Sequence, residues 1–343
     1  MLLISDLHFT DKAADAYRFE IFDWVRRHYK RTRDKNLLIL GDLTDSKDHH
    51  SAALVNRIVN GLLMLTDLGM EVFVLKGNHD YIDPLTPYFK FIDNFEYVTY
   101  ITSPKAMLIE GNVCLFLPHS RNPIEDWKKS KLVREYTTSA EYVFMHESVL
   151  GSVTSSGYEM EVGLPPSYFK KFTGEVISGD IHCPQTIGPV TYVGTPYSIR
   201  YNDHYRGRAL QILPDALVKE LYPDIRGRWT VDVDSVRGFM DAIIELPTNV
   251  GDQVKVRYQL ANVDRIHWDD IKKKLYMACK NLHVEIATVQ IMRPERFPLR
   301  GRKRNELKEA LQTLAPGEVV SRFSKQHGID KARQRAGRKI VGE

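Results

Sequence analysis

Apolar residues occur along this chain in short runs, and each run gives way to a polar cluster. Residues 1–5, 36–40, 71–75, 141–145 and 175–178 are dominated by apolar and β-branched side chains, the pattern of strands covered on both faces. Between the first three, residues 14–30 and 50–68 place apolar positions at helical spacing. The opening third therefore reads strand, helix, strand, helix, strand. Right-handed crossovers bring such strand ends to one edge of a parallel sheet, the edge where ligands of open α/β sheets collect.

The clusters at those ends are Asp6-Leu7-His8, Gly41-Asp42-Leu43-Thr44-Asp45, Gly77-Asn78-His79-Asp80, Met145-His146-Glu147 and Gly179-Asp180-Ile181-His182. Each alone has a plain reading, as a helix cap, a turn or a surface histidine. Together they put carboxylates, an amide and imidazoles on one edge. That donor set suits Mn, Fe, Zn or Mg, and the lack of a thiolate in it argues against a structural zinc site. A carboxylate can bind two ions about 3.5–4 Å apart, and such a pair promotes displacement at phosphorus. The residues point to metal-assisted phosphoester hydrolysis.

In this order the motifs resemble the calcineurin-like metallophosphoesterase superfamily over residues 1–182. Within it, the chain looks like the nuclease subunit of the SbcCD and meiotic-recombination type, including short phage members that pair with an SMC-like ATPase. Tyr192-Val193-Gly194-Thr195-Pro196-Tyr197 is similar to a segment that follows the last metal motif in those nucleases. The resemblance implies an α/β fold: a β-sandwich flanked by helices, a small α/β capping domain and a C-terminal helical tail. It implies two divalent ions, Mn or alternatively Mg, with Asp6, His8 and His182 on one, Asn78 and His146 on the other, and Asp42 between them. His79 would act on the scissile phosphate and the leaving oxygen, a task suited to a group titrating near neutrality. Asp80 joins it as a catalytic candidate that could orient His79 or its loop. Asp45 could steady a ligand imidazole. Asp180 stands where the family has histidine. As a carboxylate it completes the second ion's shell and favours harder ions.

The same resemblance implies exonuclease action on duplex ends, 3′ to 5′, endonuclease action on single strands, a role in DNA recombination, repair or replication, and a homodimer built on residues 83–95 and 121–136. Thr195 is a candidate DNA contact. A phosphatase or small-molecule phosphodiesterase of the same superfamily is the alternative, and a scaffold without chemistry is a third reading that the intact motif residues disfavour.

Composition adds a division of labour. The 343 residues, 43% of them apolar, allow a full core and more than one domain. Expected boundaries are 1–225 for the catalytic domain, 229–292 for the cap and 293–343 for a tail. The cap reads as a helix at 233–244, a strand at 253–259, a helix at 268–282 and a strand at 284–291. The net charge of +4 conceals a tail with 14 Lys or Arg against 6 Asp or Glu. Arg300, Arg302, Lys303 and Arg304 suit sequence-independent contact with phosphates. Two short amphipathic helices at 305–313 and 317–326, with Leu307, Leu311, Val319, Val320 and Phe323, suit docking on the ATPase. Three scattered cysteines, Cys114, Cys183 and Cys279, fit reduced thiols. No apolar run reaches the roughly 18–20 residues of a membrane span, and the expected location is the cytoplasm.

Overall fold

A computed structural model describes residues 1–201, 203, 205–246, 248, 250–260 and 267–292. Met1–Met292 form one compact unit and Arg293–Glu343 a second. The tail residues named above, from Arg300 to Phe323, lie outside the described residues.

Two sheets stack face to face, with helices outside both. The strands of the first part are β1 (Leu2–Ile4), β2 (Asn36–Ile39), β3 (Glu71–Leu75), β4 (Val98–Ile101), β5 (Lys105–Ile109), β6 (Asn112–Leu117), β7 (Tyr142–His146), β8 (Glu175–Gly179), β9 (Gln185–Ile187), β10 (Val190–Tyr192), β11 (Ala209–Ile212) and β12 (Val218–Leu221). One six-stranded sheet runs β12-β11-β1-β2-β3-β4 and the other β5-β6-β7-β8-β10-β9. In the first, β1 to β4 are parallel, with Leu3 opposite Leu38 and Leu38 opposite Phe73. In the second, β6, β7, β8 and β10 are parallel.

The unbroken apolar runs follow from this layering. Successive side chains of a strand face opposite ways, so Leu2 and Ile4 pack outward while Met1 and Leu3 face the other sheet. Outside the first sheet lie helices α1 (Glu20–Thr32) and α2 (Ala52–Thr66), burying Ile21, Phe22, Val25, Ile58 and Leu62. Between the sheets, Leu38, Phe73 and Leu75 meet Phe116, Tyr142, Phe144 and Ile177. Outside the second sheet, α3 (Pro123–Lys129) and α4 (Lys131–Tyr136) bring Trp127 and Val133 onto Leu117, Val143 and Met145. Residues 14–30, expected as one helix, open instead as a 3-10 segment, Ala13–Phe19, because Asp15 and Arg18 turn inward to partners of their own. Residues 83–95 contain a 3-10 turn, Tyr88–Asn94.

The smaller sheet is β13 (Arg228–Val233), β14 (Gln253–Gln259) and β15 (Glu285–Met292), all parallel in that order. Helices α5 (Val236–Glu245) and α6 (Trp268–Asn281) place Phe239, Ile243, Leu275 and Cys279 against Val231, Val254 and Val256. β13 departs from the sequence reading, which started this region with a helix. The alternation of Trp229, Val231 and Val233 sits against the domain break and reads as linker until β14 is seen to pair with it. Arg228 ties this sheet to the sandwich, its guanidinium 2.9 Å from Asp15 and bonded to the Ile199 carbonyl.

Candidate metal centre

Past the strand ends, the β1 and β2 chains stay zipped together. Asp6 N–H donates to Gly41 O, His8 N–H to Asp42 O and Phe9 N–H to Leu43 O, at 2.9–3.1 Å. Holding both loops this close forces unusual backbone. Asp6 (φ 54), His8 (φ 43), Asp42 (φ 55) and, after β8, Asp180 (φ 81) are all left-handed. Asp and His are among the residues that tolerate this region best, and such outliers cluster at functional sites. Gly41 (φ 92) leaves room that a side chain would fill, because a Cβ there would overlap the His146 imidazole. At Gly77 a Cβ would overlap the Asp42 carboxylate.

The side chains converge. The Nε2 atoms of His8 and His182 lie 3.0 Å apart, and His8 Nε2 is 3.6 Å from one Asp42 oxygen. His146 Nε2 is 3.5 Å from the other Asp42 oxygen and 3.7 Å from Asp180 Oδ1, which also accepts from Asn78 Nδ2 at 3.2 Å. Asp42 thus stands between a group of Asp6, His8 and His182 and a group of Asn78, His146 and Asp180. Metal-like donor clusters recur as Asp6–His8–His182, His8–Asp42–His79 and Asp6–Asp42–His146.

Two observations test whether cations fit here. Asn78 Oδ1 and His146 Nε2 are buried without a hydrogen-bond partner among the described residues, a costly state unless an ion supplies the missing interaction. His146 Nδ1–H donates to Leu40 O at 2.6 Å, which turns Nε2 into the site. The electrostatics agree. Burial, aided by Asp42 and Asp180, pushes the Asp6 carboxyl up to about 8. Burial works against a charged His146, but the Asp42 carboxylate outweighs it and raises the imidazole. Crowded carboxylates of this kind are relieved by a cation. The residues fit two divalent ions.

The surrounding contacts refine one assignment and revise another. Asp80 was expected as a catalytic candidate that could orient His79 or its loop. Its carboxylate is buried and accepts the backbone N–H groups of Gly77 (2.6 Å), Leu43 (2.9 Å) and Asp42 (3.0 Å). It is a strap joining two ligand loops, and burial with Asp42 raises it to about 6. Thr195, expected at DNA, is fully buried, bonded to Tyr197 O and the Tyr205 hydroxyl at 2.6 Å. Its hydroxyl braces a turn and is not presented to a ligand. Asp45 has an oxygen 3.7 Å from His8 Nδ1, and its carbonyl accepts from His79 Nδ1 at 2.7 Å.

Sequence reading missed the roles of Arg18, Tyr197 and His119. Arg18 and Tyr197 donate to His8 O and Leu7 O, fixing the first ligand loop from behind. Tyr197 stood in the segment already singled out, but its bracing role was not read, because partners that are backbone carbonyls leave no mark in sequence. His119 did leave one, since Pro118-His119-Ser120 follows β6 as the other clusters follow their strands. Its ring lies 6.3 Å from that of His146.

A sequence model of the calcineurin-like phosphoesterases matches residues 1–184, more than half of the chain. The chain belongs to the calcineurin-like phosphoesterase family. A comparison with curated proteins finds no match. As a calcineurin-like phosphoesterase with convergent carboxylate, amide and imidazole donors, it is a metal-dependent phosphoester hydrolase. A cavity of about 460 Å³ adjoins the donors, lined by Asn78, Asp180 and His182 on one side and by Thr154, Ser156 and Tyr158 of the 151–163 loop on the other. No helix among the described residues is long and apolar enough to cross a membrane.

Proposed function

We propose that this phosphoesterase is the nuclease subunit of an SbcCD-like pair, cutting DNA phosphodiester bonds with two Mn ions. The observation that carries this reading is the packing of the segment 192–197, the one that resembles the nuclease type, against the ligand loop. Tyr197 donates to Leu7 O at 2.6 Å, and Thr195 N–H donates to His182 O at 3.0 Å. A nuclease-type turn here is part of the scaffold of the first metal group.

Asp6, His8 and His182 would hold one ion, Asn78, His146 and Asp180 the other, and Asp42 both. When bound, the ions supply positive charge that favours attack on a phosphoester and steadies the leaving oxygen. The chain's own residues do the rest. His79 is partly exposed, its backbone N–H on Asp42 at 2.8 Å and its Nδ1–H on Asp45 O. That leaves Nε2 free, and in the imidazolium form it would hand its proton to the departing oxygen and return to the neutral ring. Asp80 keeps the His79 turn in register with the Asp42 loop.

The SMC-like ATPase partner rests on the resemblance and on the tail pattern at 305–326. A homodimer is supported by Leu85 and Ile124, which are exposed apolar residues on the expected segments. Light scattering at micromolar concentration tests it. The reading as a whole is tested by incubating the Mn-loaded protein with labelled duplex and single-stranded DNA, beside an aryl phosphate and a His79→Ala control. DNA cutting lost in the control supports it. Aryl phosphate turnover with DNA left intact, even with an SMC-like ATPase added, moves the protein to the phosphatases.

A further inference from the structure

A second cavity, of about 600 Å³, opens on the other side of the Gly77 turn, between Lys76, Tyr81, Thr102, His119, Arg121 and Trp127. It meets the metal centre through His119, whose backbone N–H holds Lys76 O at 2.9 Å and whose ring faces His146. Lys76 is the unusual member. The residue is 4% exposed, and among the described residues its ammonium has no hydrogen bond or ion pair; it lies 4.6 Å from the Tyr81 ring.

The acids that face this ammonium lie beyond ion-pair distance and each accepts another hydrogen bond, and Asp126 also lines the cavity. Asp80 is spent on three backbone N–H groups, Glu147 accepts the Ser120 N–H at 2.7 Å, and Asp126 accepts the Ser120 hydroxyl. Arg121 stands exposed at the mouth with its guanidinium 5.7 Å from the same Tyr81 ring. Tyr81 in turn is fixed by its hydroxyl on His119 Nδ1 at 2.8 Å. An ammonium without an ion pair, beside an exposed guanidinium that donates to the Ile82 carbonyl, on an aromatic floor, is placed to take an anion that arrives from solution.

We propose that this cavity is a second phosphate subsite, in which Lys76, with Arg121 at the mouth, takes the phosphate next to the one being hydrolysed. The assignment of that phosphate to a DNA strand rests on the nuclease reading; the phosphate chemistry itself does not. The subsite would make the enzyme prefer substrates with two linked phosphates or more over a lone phosphoester.

The test is calorimetric binding to the full-length Mn-loaded protein, carrying His79→Ala so that ligands survive. One arm compares a short thymidine strand with copies in which each phosphate in turn is an uncharged methylphosphonate; the other compares ADP with AMP. The wild-type subsite should favour the native strand over one neighbouring replacement, and ADP over AMP, by about tenfold or more. Lys76→Met should erase both preferences, and Lys76→Arg should keep most of them. If Lys76→Met alters folding, seen as lost Mn content, Arg121→Gln on the exposed rim should still reduce the preferences by a few-fold. Preferences unchanged in Lys76→Met and Arg121→Gln, or absent in the parent, overturn the subsite. Strand binding and cutting that ignore Lys76 would leave the nuclease reading standing without the subsite. A Lys76-dependent ADP preference with no strand bound would leave the subsite standing without the nuclease reading.

Discussion

The sandwich and the three-stranded sheet are built from the same parts, parallel strands joined by amphipathic helices, and they part company at the strand ends. In the sandwich, β1 and β2 run on into loops whose backbones remain bonded and whose Asp6, His8 and Asp42 are forced left-handed. In the smaller sheet, β13 passes directly to Ser235, whose hydroxyl accepts the Gly238 N–H and starts α5 in the ordinary way. Its described non-glycine left-handed residue, His283 (φ 57), sits in the turn that leads into β15. Parallel α/β architecture therefore carries no chemistry by itself. Chemistry enters where strand ends are held so close that only Asp, His and Gly fit, and their side chains have no direction left but inward.

The comparison can be broken most severely at Asp42. Asp42→Ala removes the carboxylate that faces both donor groups. It should cost more than the roughly 100-fold in metal affinity lost when an outer partner is removed, with phosphoesterase activity falling to the metal-free background; metal content and turnover measured together check this. His79→Ala should slow turnover by about 10²- to 10⁴-fold, the range for general acids, while Mn content stays at the wild-type level. A matching loss of metal would instead make His79 a ligand.

Protons and metal should compete in the sandwich. Without a cation Asp6 keeps its proton to about pH 8, far above its ordinary 3.8, and a metal must displace it. Mn affinity, and the thermal stabilisation that Mn confers, should therefore rise as pH goes from about 6 to about 8. A flat profile by calorimetry would contradict this. Asp80→Ala strips the acceptor from three buried N–H groups and should destabilise the fold by on the order of 3 kcal/mol in denaturant melts, while weakening metal binding.

The smallest effect belongs to the other region. Arg257 pairs with Asp232 on the outer face of the three-stranded sheet, both side chains well exposed. Arg257→Ala should change stability by less than about 1 kcal/mol and leave aryl phosphate turnover alone. A large loss of turnover would show that the smaller sheet takes part in chemistry after all.

Much of this was legible in sequence because it is local. Glu71–Leu75 and Gln253–Gln259 were read to the residue, since a buried run and a clean alternation are written in the chain itself. The five strand-end clusters were legible for the same reason, as was the α/β class. β13 was not, because Arg228–Val233 becomes a strand only when β14 lies beside it. The means by which Asp80 could orient the His79 loop was also hidden, because its three N–H partners come from two loops far apart in the chain. Sequence alone thus determined which residues could hold metal and at which strand ends they stand, because donor type and periodicity are properties of the chain. Only the tertiary structure decided which of them meet around Asp42, what braces them from behind, and that Lys76 has no ion pair among the described residues. Those depend on backbone carbonyls, amides and cavities contributed by segments far apart in the chain.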